Sequence, residues 1–362
     1  MRRLVTTCLT LASTTLLVLA APATAEATDR HARPDHTKGN HRDAFDLQAH
    51  RGGVGMTTES TIAGFSKALA LGVTTLELDT QVTKDAKVVV THDRKVSATI
   101  CKDTSPVVPD DAQFPYVGKY VKDLTLVQLK TMDCGYQQRP GFPQQEVVHG
   151  AAMAELKDVF ALVKKRRAWG VTLNVETKVE AGAPHETAPR ELFVRRVAEE
   201  IRRSGLSRQV TVQSFDWGAL MLMHRISPRL PLVALTNHDF LQVGQPGASP
   251  WLGGIDADEF GGDFVKAAAS IDGVTTLSPV YGMPQSGTID QPGFRFYVTP
   301  QMVRSAHRRG LEVVPWTCDD MPTVAALMDM GVDGIITDYP DRVRALMADR
   351  GMRLPRAYRA RG

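Results

Sequence analysis

Three acidic side chains and two imidazoles carry the chemistry of this sequence. Glu77 and Asp79 alternate with Leu76 and Leu78 in the run Thr74–Val82, and Glu176 alternates with Leu173 and Val175 in Val171–Lys178. Period-two geometry sends Glu77, Asp79 and Gln81 to one face of a strand, and Asn174, Glu176 and Lys178 to one face of another. With the apolar faces packed under helices, the carboxylates turn into a shared interior, where unpaired anions are costly. A hard divalent cation answers that cost, and oxygen donors suit Mg²⁺ or Ca²⁺ rather than zinc. On the carboxylates alone, a salt-bridge network with Lys178 and Arg51 explains them equally well. His50 and His92, each ending a short strand, favour the cation. Two imidazoles beside a metal suit one proton removal and one proton donation in a phosphodiester displacement. Arg51, as a bidentate fork, and Lys178, as a point charge, would neutralise phosphoryl oxygens.

The elements that must position these groups alternate along 362 residues. Apolar or β-branched runs occur at 46–50, 74–82, 171–178, 210–215, 232–236, 275–279, 312–317 and 334–338. Helical stretches at 61–70, 154–165, 189–204, 217–225, 300–309 and 321–330 separate most of them, several ending at a glycine: Gly72, Gly205, Gly310 and Gly331. Such alternation predicts parallel pairing. The run 88–93 follows Val82 too closely for a parallel crossover and reads as the return arm of a hairpin. The remaining eight strands predict an α/β fold, a (β/α)8 TIM barrel over residues 44–347, with an insertion at about 100–150 after the strand-2 hairpin. In such barrels the chemistry sits at the carboxyl ends of the strands, where His50, Glu77, Asp79, His92, Glu176, Lys178, Gln213 and Trp316 fall.

The two ends read differently. Arg2 and Arg3, an apolar stretch to Ala21 and Ala23-Thr24-Ala25 follow the order of a cleaved secretory signal peptide, 1–25. Its threonines and serines weigh against a permanent membrane span. Residues 26–43, with His31, His36 and His41, read as a solvated, disordered leader. Residues 348–362 hold five arginines and read as a basic tail, either a solubilising end or a weak contact for anionic surfaces. The net charge of +3, or +1 once 1–25 is removed, excludes a nucleic-acid binder working by bulk electrostatics. Export makes a disulfide permissible. Cys101 and Cys134 flank a Pro/Asp-rich segment with little core of its own and are predicted to pair, leaving Cys318 as a free, partly buried thiol.

His50-Arg51-Gly52, Glu59-Ser60-Thr61 before Ala63-Gly64-Phe65, Glu77-Leu78-Asp79 and Thr91-His92-Asp93 together resemble the signature of the glycerophosphodiester phosphodiesterase family. Asn174–Lys178, Gln213-Ser214-Phe215, Trp316 and Gly334–Pro340 continue the match over residues 46 to 346, in the family's order. The resemblance implies one Ca²⁺ or Mg²⁺ at Glu77, Asp79 and Glu176, and an acid/base pair at His50 and His92. It places Arg51, Lys178, Glu59, Gln213 and Trp316 around the phosphate and substrate. It further implies hydrolysis of small glycerophosphodiesters to an alcohol and glycerol 3-phosphate through a cyclic phosphate. Ser60 departs from the family's usual Glu-Asn pair and puts the local loop geometry in question. Lysophospholipase D-like and sphingomyelinase D-like activities share this scaffold; an apolar groove built from Phe114, Tyr116 and Phe142, or from Trp251 and Phe260, would favour a lipid tail. A secreted, non-catalytic binder of anionic surfaces has no need of two proton-transfer groups.

Overall fold

Strands β1 (Asp46–Ala49), β2 (Thr75–Val82), β3 (Val88–Val90), β4 (Thr172–Thr177), β5 (Val210–Ser214), β6 (Leu232–Thr236), β7 (Val274–Pro279), β8 (Gly282–Met283), β9 (Arg295–Phe296), β10 (Glu312–Val313) and β11 (Gly334–Thr337) follow one another along the chain. The structure is a computed structural model that describes residues 44–360. The expected signal peptide, the leader with its three histidines and Arg361 lie outside the described residues.

The parallel strands are ordered β10-β7-β6-β5-β4-β2-β1-β11, the sequential winding of an eight-stranded α/β barrel. Backbone hydrogen bonds close the seam: Asp333 N–H donates to Val313 O (2.9 Å), Ile336 N–H to Pro315 O (3.0 Å) and Cys318 N–H to Ile336 O (3.1 Å). The seventh barrel strand stops at Val313 rather than Thr317 because Pro315 has no N–H to give to a ladder. As the short spacing requires, β3 pairs antiparallel with β2, outside the barrel path.

Helices Ile62–Leu71, Leu156–Arg166, Arg190–Ser204, Trp217–Ile226, Pro300–Arg308 and Met321–Asp329 lie within two residues of the expected spans. Leu76, Leu78, Val82, Leu173 and Val175 pack with helix residues such as Phe65, Val159, Phe193 and Val197 in one apolar layer. The opposite faces of β2 and β4 are therefore free for polar groups. At 1% exposed or less, Asn174 and Gln213 form a buried polar lattice with Gln48, joined by half-buried Thr211, in the barrel interior. Asn174 Nδ2 donates to Gln48 Oε1 (3.0 Å) and Gln213 Oε1 (2.8 Å), and Thr211 Oγ1 donates to Asn174 Oδ1 (3.0 Å).

The insertion differs from its expectation. Cys101 and Cys134 do pair, but the segment has a core of its own in which Val96, Tyr116, Val121, Leu124, Leu129 and Met132 are buried with the two cysteines. Val89 on β3 and Met153 join that core, so the hairpin arm is the platform on which the insertion is built. The bridge closes a separation of 33 residues, a loop length for which removal costs about 2–4 kcal/mol. Cys134→Ser should leave the barrel cooperative and open the insertion first, seen as protease cleavage between residues 101 and 134 well below the main melting transition.

The C-terminal segment is not a free tail. Helix Pro340–Asp349 runs into it, and Tyr358 N–H then donates to Leu69 O (2.7 Å) while Gly170 N–H donates to Tyr358 Oη (3.2 Å). Cys318 is fully rather than partly buried. Burial raises its thiol far above the ordinary range, which makes it inert as a thiolate.

Candidate active site

Immediately after β1, the chain turns through His50-Arg51-Gly52 in a single 3₁₀ turn with Arg51 at φ 51°. Gly52, at φ 86°, lies so near helix Ile62–Leu71 that a Cβ there would stand 3.0 Å from the Phe65 backbone nitrogen; only glycine accepts both demands. The turn aims its side chains and backbone at β2. Arg51 N–H donates to Glu77 Oε2 (2.9 Å), and His50 Nε2 stands 4.0 Å from the same oxygen. On the other side of the ring, His50 Nδ1 meets Asp338 Oδ1 at 2.5 Å. Asp338 comes from the end of β11, which reaches β1 only because the barrel closes.

One ring nitrogen of His50 and one carboxylate oxygen each from Glu77 and Asp79 lie within 4.8 Å of one another. Glu176 is the register partner of Asp79 on β4, but its carboxylate stands outside that group of three. Lys178 Nζ lies 3.2 Å from Glu176 Oε1 and 3.7 Å from Asp79 Oδ1, and Arg51 Nε lies 3.1 Å from Asp79 Oδ2. Buried Asp79 Oδ2 nevertheless has no properly aligned hydrogen bond.

The electrostatics match a site built for added positive charge. Burial, followed by the charge of Asp79, raises Glu77 well above the ordinary carboxyl range. Burial lifts Glu176 to about 8 against the opposing pull of Lys178. Burial also opposes ionisation of Asp79, but Lys178, His92 and Arg51 overcome it and hold this carboxyl well below its usual value. Glu176 therefore keeps its proton at neutral pH, Glu77 is shifted in the same direction, and Asp79 is ionised. Carboxylates whose charge is disfavoured by burial for want of a cation suit a hard divalent ion.

His92 follows β3 in the loop that begins the insertion, and its Nδ1 pairs with Asp93 Oδ1 at 2.7 Å. Desolvation, aided by the charges of Lys178 and Arg51, lowers its pKa to about 4, so the ring is neutral at pH 7. Both histidines thus have a carboxylate at Nδ1, which leaves Nε2 free of that contact and fixes tautomer and orientation.

Two of the expected substrate-binding residues bond other side chains of the site. Gln213 donates through Nε2 to Glu77 Oε1 (2.7 Å) and accepts from Asn174. With its amide used beneath the carboxylates, it aims Glu77. Glu59 binds Arg51 Nη1 (3.0 Å) and, from the insertion, Arg139; a carboxylate would repel phosphate but holds both guanidiniums in place. Trp316 lies at the mouth as expected, in a cavity of about 650 Å³ that also meets His92, Glu176 and Lys178.

Phe215, Phe240 and Trp251 line the same cavity. Phe215 meets Trp316 and Phe240 edge-on, and Phe240 stacks on Trp251 at 4.2 Å. Trp251 was legible as a groove residue, but Phe114, Tyr116 and Phe142 were not correctly placed. Tyr116 is fully buried in the insertion core with Phe114 packed on it, Phe142 packs on Tyr339, and Phe260 packs against the main core. Asp338, Asp93 and Arg139 carried no periodic signal; their only marks were positions at a strand end, beside a histidine and within the insertion.

Ser60 explains the departure noted in its loop. It sits at φ 57° with its Oγ buried and without a hydrogen bond, a conformation asparagine tolerates better than serine. Ser60→Asn should raise stability by on the order of 1 kcal/mol with kcat unchanged, read by thermal unfolding and turnover together.

The comparisons agree with this geometry. A glycerophosphodiester phosphodiesterase from Caldanaerobacter subterraneus subsp. tengcongensis is 25% identical over 303 residues, covering 84% of this chain and 98% of the relative. A crystal structure from Silicibacter pomeroyi DSS-3, provisionally named a glycerophosphoryl diester phosphodiesterase, is 28% identical with a TM-score of 0.69, covering 86% of this chain and 96% of that one. An Oleispira antarctica phosphodiesterase, solved with the product sn-glycerol-3-phosphate, shares the fold at 17% identity and a TM-score of 0.57, over 83% of this chain and 96% of that one. The model of the glycerophosphoryl diester phosphodiesterase family matches residues 50–342, and the chain belongs to that family.

Proposed function

We propose that this protein hydrolyses glycerophosphodiesters to an alcohol and glycerol 3-phosphate, with one Ca²⁺ or Mg²⁺ and two histidines for proton transfer. The observation that carries the reading is the convergence of His50, Glu77 and Asp79 within 4.8 Å at the mouth of a barrel of this family. Glu77, Asp79 and Glu176 would hold the ion. When bound, such an ion acidifies a coordinated hydroxyl and withdraws charge from a phosphoryl oxygen.

The residues of the chain divide the remaining work. His92, neutral at pH 7, accepts the proton of the substrate's glycerol 2-hydroxyl as that oxygen attacks phosphorus. His50 donates a proton from Nε2 to the departing head-group oxygen as its bond to phosphorus breaks, with Asp338 holding the ring through Nδ1. Water then opens the five-membered cyclic phosphate while the two rings exchange roles, returning the protons. Arg51 and Lys178 face the phosphoryl oxygens, and Lys178 is released from Glu176 when the carboxylates gain a cation. Export is part of the proposal; the Cys101–Cys134 bridge supports it, since disulfides persist in oxidising compartments.

The aromatic wall of Phe215, Phe240, Trp251 and Trp316 favours a second reading, a lysophospholipase D-like activity in which an acyl chain lies on that wall. Product identification separates the two. Glycerol 3-phosphate released from glycerophosphocholine, abolished by chelator and restored by Ca²⁺ or Mg²⁺, supports the first. Faster turnover of a lysolipid supports the second, and chelator-resistant cleavage overturns the metal site.

A further inference from the structure

The end of the barrel opposite the mouth carries charge and an aromatic side chain that the catalytic reading leaves unused. Trp169, in the turn into β4, is 58% exposed. One exposed tryptophan is ordinary; its surroundings are not. Lys164, Lys165 and Arg167 just before it are all exposed. The bond from Gly170 N–H to Tyr358 Oη brings the C-terminal segment to the same turn from 188 residues away. With it come exposed Arg353, Leu354, Arg356 and Arg359, and the Arg356 guanidinium lies over the Tyr358 ring at 5.3 Å.

Among the described residues, Lys164, Lys165, Arg167, Arg353 and Arg359 have no acidic partner. Cations at a helix C-terminus complement its dipole, which accounts for Lys164 and Lys165 but not for the C-terminal arginines or Trp169.

We propose that this face docks the protein on an anionic phospholipid surface, with Trp169 at headgroup level and the surrounding Lys and Arg side chains on lipid phosphates. Tryptophan favours the membrane–water interface, and clustered basic residues are drawn to anionic leaflets. A purely polyanionic partner would require the charges but not the exposed indole. Because this face holds the N-terminal ends of β2 and β4, docking turns the catalytic mouth toward bulk solution. The protein then takes water-soluble diesters arriving from solution, not lipids embedded in the bilayer it rests on. The inference stands independently of the catalytic assignments.

Sedimentation with phosphatidylcholine vesicles, with and without phosphatidylglycerol, tests it. Binding is expected only to the anionic vesicles, weakening with salt and accompanied by a blue shift of tryptophan emission. Each cation removed should lower partition about fivefold. Lys164→Glu, Lys165→Glu and Arg167→Glu combined should therefore abolish sedimentation, and Trp169→Ser should abolish the blue shift. Turnover of soluble glycerophosphocholine should stay unchanged in both variants. The proposal is overturned if the wild-type protein ignores phosphatidylglycerol vesicles at low salt, if the triple variant binds them equally well, or if soluble polyglycerol phosphate is bound and vesicles are not.

Discussion

His92→Ala is expected to lower kcat by about 10²–10⁴, the range for loss of one general acid or base, with divalent-ion affinity changed little. The ring reaches the site from the insertion loop and lies outside the carboxylate cluster, so its loss should remove a proton acceptor without opening the metal site. Its pKa of about 4 reflects desolvation and the fields of Lys178 and Arg51. In the metal-free protein the His92 ring should therefore take up its proton well below pH 6.5, the ordinary imidazole value, read by NMR titration of the imidazole. Isothermal titration with Ca²⁺ or Mg²⁺, run beside turnover, checks the separation of roles. Near-normal kcat in His92→Ala with metal bound would remove it from the mechanism. His50→Ala should likewise lose turnover while keeping the ion, because the three carboxylates are assigned to hold it; loss of ion binding would make His50 a ligand instead.

A divalent ion is expected to bind more tightly as pH rises toward 8, by about tenfold per pH unit for each proton it displaces. The cause is the proton that Glu176 keeps to about 8 in the metal-free fold, with Glu77 raised in the same direction by burial and by Asp79. The same shifts fix the sign of the metal-free stability. A carboxyl raised above its unfolded value binds more protons in the folded state, so stability is lost as pH rises from 4.5, the ordinary glutamate value, through about 8. Asp79 acts in the opposite sense, but its window lies at lower pH because its carboxyl is held below the usual range. The melting temperature of chelated protein should therefore fall across that interval, and Ca²⁺ or Mg²⁺ should restore it most at the alkaline end. Glu77→Gln with Glu176→Gln should flatten the pH dependence and abolish the response to metal together. A chelated protein whose melting temperature rises over the interval would show that these acids are ionised without a cation.

Much of this was legible because strand geometry is local. The alternation Leu76-Glu77-Leu78-Asp79 already separates a helix-packed face from a barrel-interior face, and the observed burial of all four residues agrees. The gap of five residues between Val82 and Val88 similarly forbids a parallel crossover without reference to anything distant. The positions of Gln213 and Glu59 were legible but their partners were not: Asn174 meets Gln213 from the neighbouring strand and Glu77 from the strand beyond it, and Arg139 reaches Glu59 from the insertion. The insertion core escaped notice because its apolar residues are scattered among Pro, Asp and Lys without a period, and they converge only on the platform of β3.

Sequence alone determined the alternation of elements, the hairpin, the facing of the carboxylates and the pairing of Cys101 with Cys134, since each depends on backbone period, spacing or a short list of partners. Tertiary structure decided that Asp338 holds His50, that Lys178 stands between Glu176 and Asp79, and that the last residues fold back against Gly170. Those contacts join segments brought together only by barrel closure and docking, and their energies depend on burial and distance, neither of which is written in the spacing of residues along the chain.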